Sequence, residues 1–355
     1  MKIGIIGLPQ SGKTTIFSLL TGIEVDPYAP IHQKGVAKVH DKRVDVLSKM
    51  YNPKKTTYAT LEFYDTPSLD PSDKKSRTQV FNMVQNADAL LLVLRAFENE
   101  SVVFPENAEN AFKQLRSALD EFIFRDLEVV SNRIDRLENA KRKLDNREEM
   151  ELKLLRGLRE VLENEEFLSK YDLTEDQKKL ISSYSLVTLK PLIVAVNLDE
   201  KQFTNKSYPE KEKVLSQVKA YNFAYIELCG LMEKEIQELA EEEREEFLKD
   251  LGVEESGIER LSRVVYNQLG LISFFTVGPD EVRAWTLKKG STAVEAAGVI
   301  HSDLARGFIK AEVIKYEDLI NLGSEKEVKE KGLMKLVGKD HIIEDGDIIT
   351  IRFNV

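Results

Sequence analysis

At 355 residues the chain is long enough for two or three domains, and an apolar content of 42% can fill their cores. A net charge of −10 argues against a globally basic nucleic-acid binder, while leaving room for a local basic face. One cysteine, Cys229, excludes an intramolecular disulfide and suits a reducing compartment. With no histidine near it in sequence, Cys229 reads as a small buried residue rather than a nucleophile. No apolar run reaches the ~18 residues of a membrane span, and the first residues already read as a core strand, which leaves no room for a signal peptide. A soluble cytoplasmic protein, taken as a monomer, is the expectation.

Lys2–Ile6 is a short apolar run, the pattern of a strand buried on both faces. It runs into Gly7-x-x-x-x-Gly12-Lys13-Thr14, and Thr15–Leu20 reads as a helix. Strand, glycine-bounded loop and helix is the setting in which a P-loop cradles phosphates. Gly7 and Gly12 permit backbone angles that let successive N–H groups face an anion, and the helix N-terminus adds partial positive charge. Lys13 is placed to reach the β- and γ-phosphates, and the Thr14 hydroxyl to ligate Mg²⁺. The intervening Pro9, Gln10 and Ser11, together with Thr15, complete the expected phosphate cradle.

Gly22–Lys34 is rich in Pro and polar residues and reads as a loop. Nucleotide switches place their first switch here, often with a threonine for Mg²⁺. This loop has no Ser or Thr; only His32 could substitute, and an ordinary surface histidine is the plainer reading. Gly35–His40 alternates as a strand, Asp41–Met50 is helical, and Asn52-Pro53 ends it. Thr57–Tyr64 reads as a further strand that delivers Asp65, the position of a Mg²⁺-organising carboxylate downstream of a P-loop; a turn or cap aspartate is the bland alternative. Phe81–Ala87 reads as helix and Ala89–Leu94 as a buried strand. Strands alternating with helices predict a doubly wound, mostly parallel α/β sheet.

Over Phe112–Leu162, apolar residues recur at helical and near-heptad spacing (Leu127, Ile134, Leu137, Leu144; then Leu152, Leu155, Leu158, Leu162), which predicts two long antiparallel helices projecting from the sheet. Phe112–Glu160 holds 12 Lys/Arg against 11 Asp/Glu, so the arm is charge-balanced: a strut, or a docking arm for a large partner. Pro191–Val196 returns to a core strand and presents Asn197-Leu198-Asp199-Glu200 at the carboxyl end, where such sheets bind ligand. Ala224–Leu228 is one more strand, ending at Cys229-Gly230. Glu233–Glu259 carries 12 carboxylates and three Lys/Arg and reads as the solvated face of helices, with Ile236, Leu239, Phe247 and Leu248 on the apolar side.

From Ser273 a new pattern begins: strands over Ser273–Val277, Glu281–Leu287, Phe308–Val313 and Ile348–Val355, and a helix over Thr292–Ile300 started by an N-cap. This predicts a compact β-grasp-like domain of about 80 residues. Arg283, Trp285, Lys288, Lys289, Arg306 and Lys310 are candidates for a basic, aromatic-bearing RNA face; a protein-contact or purely structural domain is the alternative.

These landmarks resemble the YchF / Obg-like ATPase family of TRAFAC-class P-loop NTPases, over almost the whole chain. The local matches are Gly7–Thr14, Asn197-Leu-Asp-Glu200, Glu245–Ser256, and the block from Gly270 onward, which looks like a TGS domain with Glu281-Val-Arg-Ala-Trp285, Val299–Asp303, Gly307-Phe-Ile and Asp345-Gly-Asp. The resemblance implies an NTPase domain at 1–110 and 185–272, an α-helical coiled-coil hairpin inserted at 111–184, and a TGS domain at 273–355. It implies ATP or GTP with Mg²⁺ as ligands, the metal held through Thr14 and Asp65, and a ribosome or RNA partner for the TGS domain and helical arm. It bears on the base too. GTPases read guanine with Asn-Lys-x-Asp, whereas this chain has Asn197-Leu198-Asp199-Glu200. Adenine lacks the donor pair that a carboxylate would accept from, and in this family the altered motif goes with ATP. Should Asp199 face the base rather than Glu200, guanine recovers ground. Cys229 and Gly230 fall in the family's last base-binding loop.

The departures lie in the switches. The family's Asp-x-Ala-Gly keeps Asp65, but Ser68 replaces the glycine whose N–H meets the γ-phosphate, and Pro67 stiffens the loop. Leu69 matches the family's hydrophobic residue where many GTPases place a catalytic Gln, so no catalytic residue is assigned. The P-loop reads Leu-Pro-Gln-Ser where the family usually has Pro-Asn-Val. The leading expectation is a slow ATPase, able also to take GTP, acting as a nucleotide-gated switch on a ribosome or RNA. The alternative is a hydrolysis-deficient nucleotide-binding module for RNA or protein. A small-molecule kinase fits poorly, since there is no Arg-rich lid segment.

Overall fold

The computed structural model describes residues 1–25, 33–99 and 103–354. The first expected strand is β1 (Lys2–Ile6), and the glycine loop leads from it into helix α1 (Lys13–Thr21), which Gly22 closes in the left-handed conformation. Strand β2 (Lys34–Val39) alternates exposed and buried residues, as read from the sequence. The Asp41 side chain caps helix α2 (Lys42–Tyr51), and Asn52 at φ 43° ends it. The single strand expected over Thr57–Tyr64 is two: β3 (Lys55–Thr57) and β4 (Ala59–Asp65), which join different sheets. Helix α3 (Lys74–Val84) begins well before Phe81 because the Asp73 carboxylate accepts the Lys75 N–H and fixes the start. Strand β5 (Ala89–Arg95) is buried throughout.

Helices α4 (Ala111–Glu138) and α5 (Asn146–Glu163) form the predicted hairpin, each started by a side-chain cap from Asn110 and Asp145. Arg133 pairs with Glu151 at 2.8 Å and Arg156 with Glu138 at 2.7 Å across the two helices. After α6 (Glu175–Ile181) come β6 (Leu192–Asn197), α7 (Glu200–Asn205), α8 (Lys211–Tyr221), β7 (Ala224–Leu228), α9 (Gly230–Glu238), α10 (Glu241–Asp250) and α11 (Gly257–Gln268). The remaining elements are β8 (Leu271–Thr276), β9 (Glu281–Lys288), α12 (Ala293–Ile300), α13 (Ser302–Arg306), β10 (Phe308–Lys315), α14 (Tyr316–Leu322), α15 (Glu325–Glu330), β11 (Lys335–Val337) and β12 (Asp347–Phe353).

Contacts divide the chain into two compact units, Met1–Gly35 with Glu62–Val264, and Val36–Leu61 with Val265–Val355. In the first, β4, β1, β5, β6 and β7 lie side by side in that order, and every pair is parallel. Register sets Ile5 opposite both Asp65 and Leu91, Arg95 opposite Asn197, and Asn197 opposite Leu228. The carboxyl ends of these five parallel strands therefore meet at one edge of the sheet, the place where ligands bind in such folds.

The helical hairpin is not a free arm along its length. Leu115, Ala118, Leu119 and Phe122 of α4 share one continuous core with Leu90, Leu92 and Leu94 of β5. Asp126, with no solvent exposure, fastens the helix to the chain before β6: its carboxylate accepts from Val187 N at 3.0 Å, Thr188 N at 2.7 Å and Thr188 Oγ1 at 2.7 Å. Only beyond that anchor do α4 and α5 rely mainly on each other. A second difference concerns the acidic stretch Glu233–Glu259. Most of its carboxylates are exposed, but Glu233 is buried and accepts the N–H groups of Gly257 at 2.8 Å and Ile258 at 3.1 Å, which satisfies the first turn of α11.

The second unit is built on the sheet β11-β10-β12-β8-β9-β3, with α12 contributing Ala293, Ala296 and Ala297 to a core with Phe274, Leu287, Phe308, Ala311 and Ile349. This is the expected C-terminal sheet-and-helix domain, enlarged by residues from near the N-terminus. Strand β3 extends the sheet by pairing in parallel with β9. Arg43 of α2 bonds Asp345 at 2.7 Å, and the Tyr51 hydroxyl donates to Glu325 at 2.6 Å. The candidate RNA-facing residues separate into two groups. Lys288, Lys289, Arg306 and Lys310 are exposed. Trp285 is not a bare stacking platform: it packs on Phe274, donates its indole N–H to Thr276 Oγ1 at 2.9 Å, and carries the Arg283 guanidinium 3.9 Å over its ring.

Candidate nucleotide-binding site

The loop from Gly7 to Gly12 holds its shape by local geometry. Gln10 takes φ 61° and Gly12 φ 92°, so the chain reverses its curvature just before α1. A Cβ on Gly12 would overlap Asn197 Nδ2, so glycine is required there on two counts. Lys13 is 6% exposed, and its ammonium donates to Ser68 Oγ at 3.0 Å and to Leu8 O at 3.4 Å. Burial pushes its pKa down to about 8, with the Asp65 charge pulling the other way. A buried ammonium held mainly by a neutral hydroxyl is a poorly compensated charge, the condition that an anion would relieve.

Beside it, Thr14 Oγ1 donates to Asp65 Oδ2 at 3.0 Å. Burial raises the Asp65 carboxyl above its usual range, opposed by the Thr14 hydrogen bond and the Lys13 charge. Two atoms in this corner, Ser11 Oγ and Asp65 Oδ1, are buried without a hydrogen-bond partner. Unsatisfied buried oxygens are uncommon in folded proteins, and both lie where a phosphate and its cation would supply partners. A hydroxyl with a single carboxylate is too small a donor set for an all-protein cage. It suits Mg²⁺, which keeps waters and takes its other ligands from substrate phosphates. Among the described residues no cluster of three or more His, Cys, Asp or Glu forms a metal site.

Asn197, 5% exposed at the end of β6, acts as a bracket: its Nδ2 donates to Ser11 O at 3.3 Å and its Oδ1 accepts from Gly230 N at 3.0 Å. It thereby ties the P-loop to the start of α9. An open pocket of about 690 Å³ lies alongside, within the usual size of a ligand site, lined by Gly12, Thr15, Phe97, Asn197, Leu198, Glu200, Gly230, Leu231 and Lys234 among others. Phe97, Leu231 and Lys234 are additions that sequence reasoning missed. Phe97 follows the buried strand β5 and its ring lies 4.7 Å from the Arg95 guanidinium; an aromatic just past the end of a central strand was the available signal. Asp199 is occupied: Oδ1 caps α7 through Gln202 N at 2.9 Å, and Oδ2 accepts from Glu98 N at 3.4 Å. Glu200, at the first position of α7, is exposed and lines the pocket.

Not every predicted residue gathers here. Pro9 and Gln10 line a different groove with Asp70, Phe104 and Phe112. Cys229 is buried at the cap of α9, and burial raises its thiol pKa, which matches the reading of a packing residue. His32 lies outside the described residues. Leu69 is fully buried and its N–H donates to Gly7 O at 2.9 Å, so this position presents no side chain to a reacting phosphate.

A protein of Bacillus subtilis described as "Ribosome-binding ATPase YchF" is 36% identical over 364 residues, covering 100% of both chains. The chain belongs to the YchF family. A protein of Escherichia coli O157:H7 with the same description is 35% identical over 362 residues, spanning 100% of this chain and 99% of its own. The solved structure of the Schizosaccharomyces pombe YchF GTPase superposes with a TM-score of 0.87 at 28% identity, over 99% of this chain and 97% of that one. Two family models match: "50S ribosome-binding GTPase" over residues 2–133, and the YchF GTPase C-terminal model, described as "Protein of unknown function (DUF933)", over residues 271–354. The YchF assignment agrees with the order of elements in both units and makes this a P-loop nucleotide-binding protein of the ATPase/GTPase type. Among the described residues, no helix is long and apolar enough to cross a membrane.

Proposed function

We propose that this YchF chain is a slow ATPase, able also to take GTP, whose nucleotide state gates its association with the ribosome. The observation that carries the proposal is the P-loop corner: a buried Lys13 with no carboxylate hydrogen-bonded to it, and two buried oxygens, Ser11 Oγ and Asp65 Oδ1, left without partners beside the Thr14–Asp65 pair. Gly7–Thr15 would hold the phosphates, Thr14 would ligate Mg²⁺ and Asp65 would organise it through water. When bound, that ion neutralises charge that builds up between the β- and γ-phosphate oxygens. Asn197, Leu198, Glu200 and Gly230 would shape the base site, Asn197 by keeping the P-loop and the start of α9 together, and the buried Cys229 would contribute through its backbone alone. Adenine is favoured because both Asp199 oxygens are already engaged, while Phe97, Leu198 and Leu231 give the pocket an apolar face for a base.

The domain division that goes with this reading is a nucleotide domain of 1–110 and 185–272, a helical insert of 111–184 and a TGS domain of 273–355, with residues 36–61 packed in the compact unit of the last of these. Ribosome association is supported by the descriptions of the bacterial relatives, and a cytoplasmic monomer accords with that role. The exposed Lys288, Lys289, Arg306 and Lys310 would contribute the RNA-facing contacts.

Slow chemistry follows from the second switch. Leu69 is buried where many GTPases place a catalytic Gln, and loss of one catalytic-shell contact costs ~10²–10³ in rate. Single-turnover mixing with Mg²⁺ and ATP should release phosphate with a rate constant on the order of 10⁻⁴ s⁻¹, comparable to a P-loop GTPase without an arginine finger. No release over hours would favour the hydrolysis-deficient alternative, in which the nucleotide is a structural ligand.

Lys13 also predicts a pH dependence. Its pKa in the free protein is about 8, and contact with polyphosphate must raise it, so binding takes up a proton above pH 8. Affinity for ATP should therefore be nearly flat from pH 7 to 8 and fall by up to about tenfold per pH unit above that. Titration at several pH values, with protein unfolding monitored separately, checks this. Affinity constant to pH 9.5 would show that Lys13 stays charged in the free site.

A further inference from the structure

The second-switch loop is where this chain departs from its family's glycine, and the structure shows what stands in its place. Of Thr66, Pro67, Ser68 and Leu69, only Ser68 is not buried. Thr66 Oγ1 is committed to Ile5 O at 2.6 Å, and Leu69 N to Gly7 O at 2.9 Å. The loop is thus pinned to β1 and to the P-loop on both sides of Ser68. The Ser68 carbonyl accepts from Ser76 Oγ of α3, which fixes its backbone from the other direction. With the main chain held in this way, the hydroxyl lies 3.0 Å from Lys13 Nζ, whose other hydrogen bond, to Leu8 O, is longer at 3.4 Å.

A P-loop lysine reaches toward the β- and γ-phosphates, so a group within hydrogen-bond distance of its ammonium stands next to the terminal phosphate. A serine hydroxyl accepts from Lys13 through a lone pair and keeps its own proton for another partner. We propose that Ser68 is the residue of the second-switch loop that detects the terminal phosphate, its side-chain hydroxyl donating to a γ-phosphate oxygen, a contact that a glycine cannot make. Without that phosphate the same hydroxyl holds Lys13. A diphosphate leaves Ser68 on Lys13, whereas a triphosphate engages both, so Ser68 separates the two nucleotide states. Ser68 is here a positioning and discriminating residue rather than a base, since a serine hydroxyl without a neighbouring base does not take a proton from water. The inference rests on the reading of Gly7–Thr14 as the phosphate cradle.

The test uses the full chain as wild type, Ser68→Ala and Ser68→Thr, titrated calorimetrically with Mg²⁺ and either a non-hydrolysable ATP analogue or ADP. Loss of a hydrogen bond to a charged group predicts that the ratio of triphosphate to diphosphate affinity falls about tenfold or more in Ser68→Ala. The ADP affinity should change by less than about threefold, and Ser68→Thr, which keeps the hydroxyl, should retain the wild-type ratio within about twofold. A Ser68→Ala ratio within twofold of wild type overturns the inference. So does a Ser68→Thr ratio that falls as far as that of alanine, which would mark a packing role. If the wild type binds neither nucleotide, the cradle reading itself fails, a result distinct from either of these.

Discussion

Replacing Lys13 by alanine is expected to weaken ATP binding by about a hundredfold or more, below detection in a standard calorimetric titration. Among the described residues the Lys13 ammonium is the buried cation at the P-loop corner, and removing the partner of a desolvated charge costs roughly 2–5 kcal/mol, at about 1.4 kcal/mol per tenfold. The same change should do little harm to the free protein. Lys13 is held there by a hydroxyl and a distant carbonyl, and burial lowers its pKa, which shows that the free fold bears a cost for its charge. The predicted signature is therefore a split: nucleotide binding lost, melting temperature of the ligand-free chain unchanged within about 3 °C. Unchanged ATP affinity in Lys13→Ala would remove the phosphate site from Gly7–Thr14.

The largest stability effect is expected at Asp126→Ala. This carboxylate has no solvent exposure and accepts from the Val187 and Thr188 N–H groups, the Thr188 hydroxyl and, at 2.6 Å, the Arg125 guanidinium. Alanine would strand the Val187 and Thr188 N–H groups and the Thr188 hydroxyl at the junction between α4 and the chain leading into β6, while Arg125 keeps its bonds to Ser185 O and Tyr184 O. Unsatisfied buried groups cost ~1–3 kcal/mol each and breaking a buried ionic network costs ~3–5 kcal/mol, so a loss of about 4 kcal/mol is predicted. Against a typical global stability of roughly 5–15 kcal/mol this is a large fraction. Denaturant unfolding of the two chains measures it, and Asp126→Asn, which keeps one acceptor, should lose about half as much. A loss below about 1 kcal/mol for alanine would mean that the helical hairpin is held by its apolar contacts alone.

Neither anchor of the fold was legible in the linear pattern. Asp126 sits in a helix of dense, balanced charge, and its partners lie 61 and 62 residues away. Glu233 opens a run of acidic residues and looks like its neighbours, yet it is the one that caps α11. In both cases a long-range backbone requirement, unsatisfied N–H groups at a turn or a helix start, selects one carboxylate from many. The joining of residues 36–61 to the C-terminal sheet is of the same kind, since β3 is three residues long and pairs with a strand over 200 positions later. By contrast, β1, the P-loop, β5 and β6 were legible because they are local: short apolar runs ending in glycine or asparagine leave few alternatives. The site was legible to the extent that it is a motif. Gly12, Lys13, Thr14, Asp65 and Asn197 come together as expected, while Phe97, Leu231 and Lys234 reach the pocket through the order of strands in the sheet. The open choice between Asp199 and Glu200 also needed three dimensions. The capping box of α7 and the N–H of Glu98 occupy Asp199, and no periodicity shows that.

This P-loop is expected to hold an adenine nucleotide. Calorimetric titration of the full chain with ATP and with GTP, each with Mg²⁺, tests it most directly. The prediction is ATP binding with a dissociation constant of ~1–100 μM, tighter than GTP by about tenfold, as expected where both Asp199 oxygens are engaged by Gln202 and Glu98 N–H groups. Equal, millimolar affinities for the two nucleotides would contradict it.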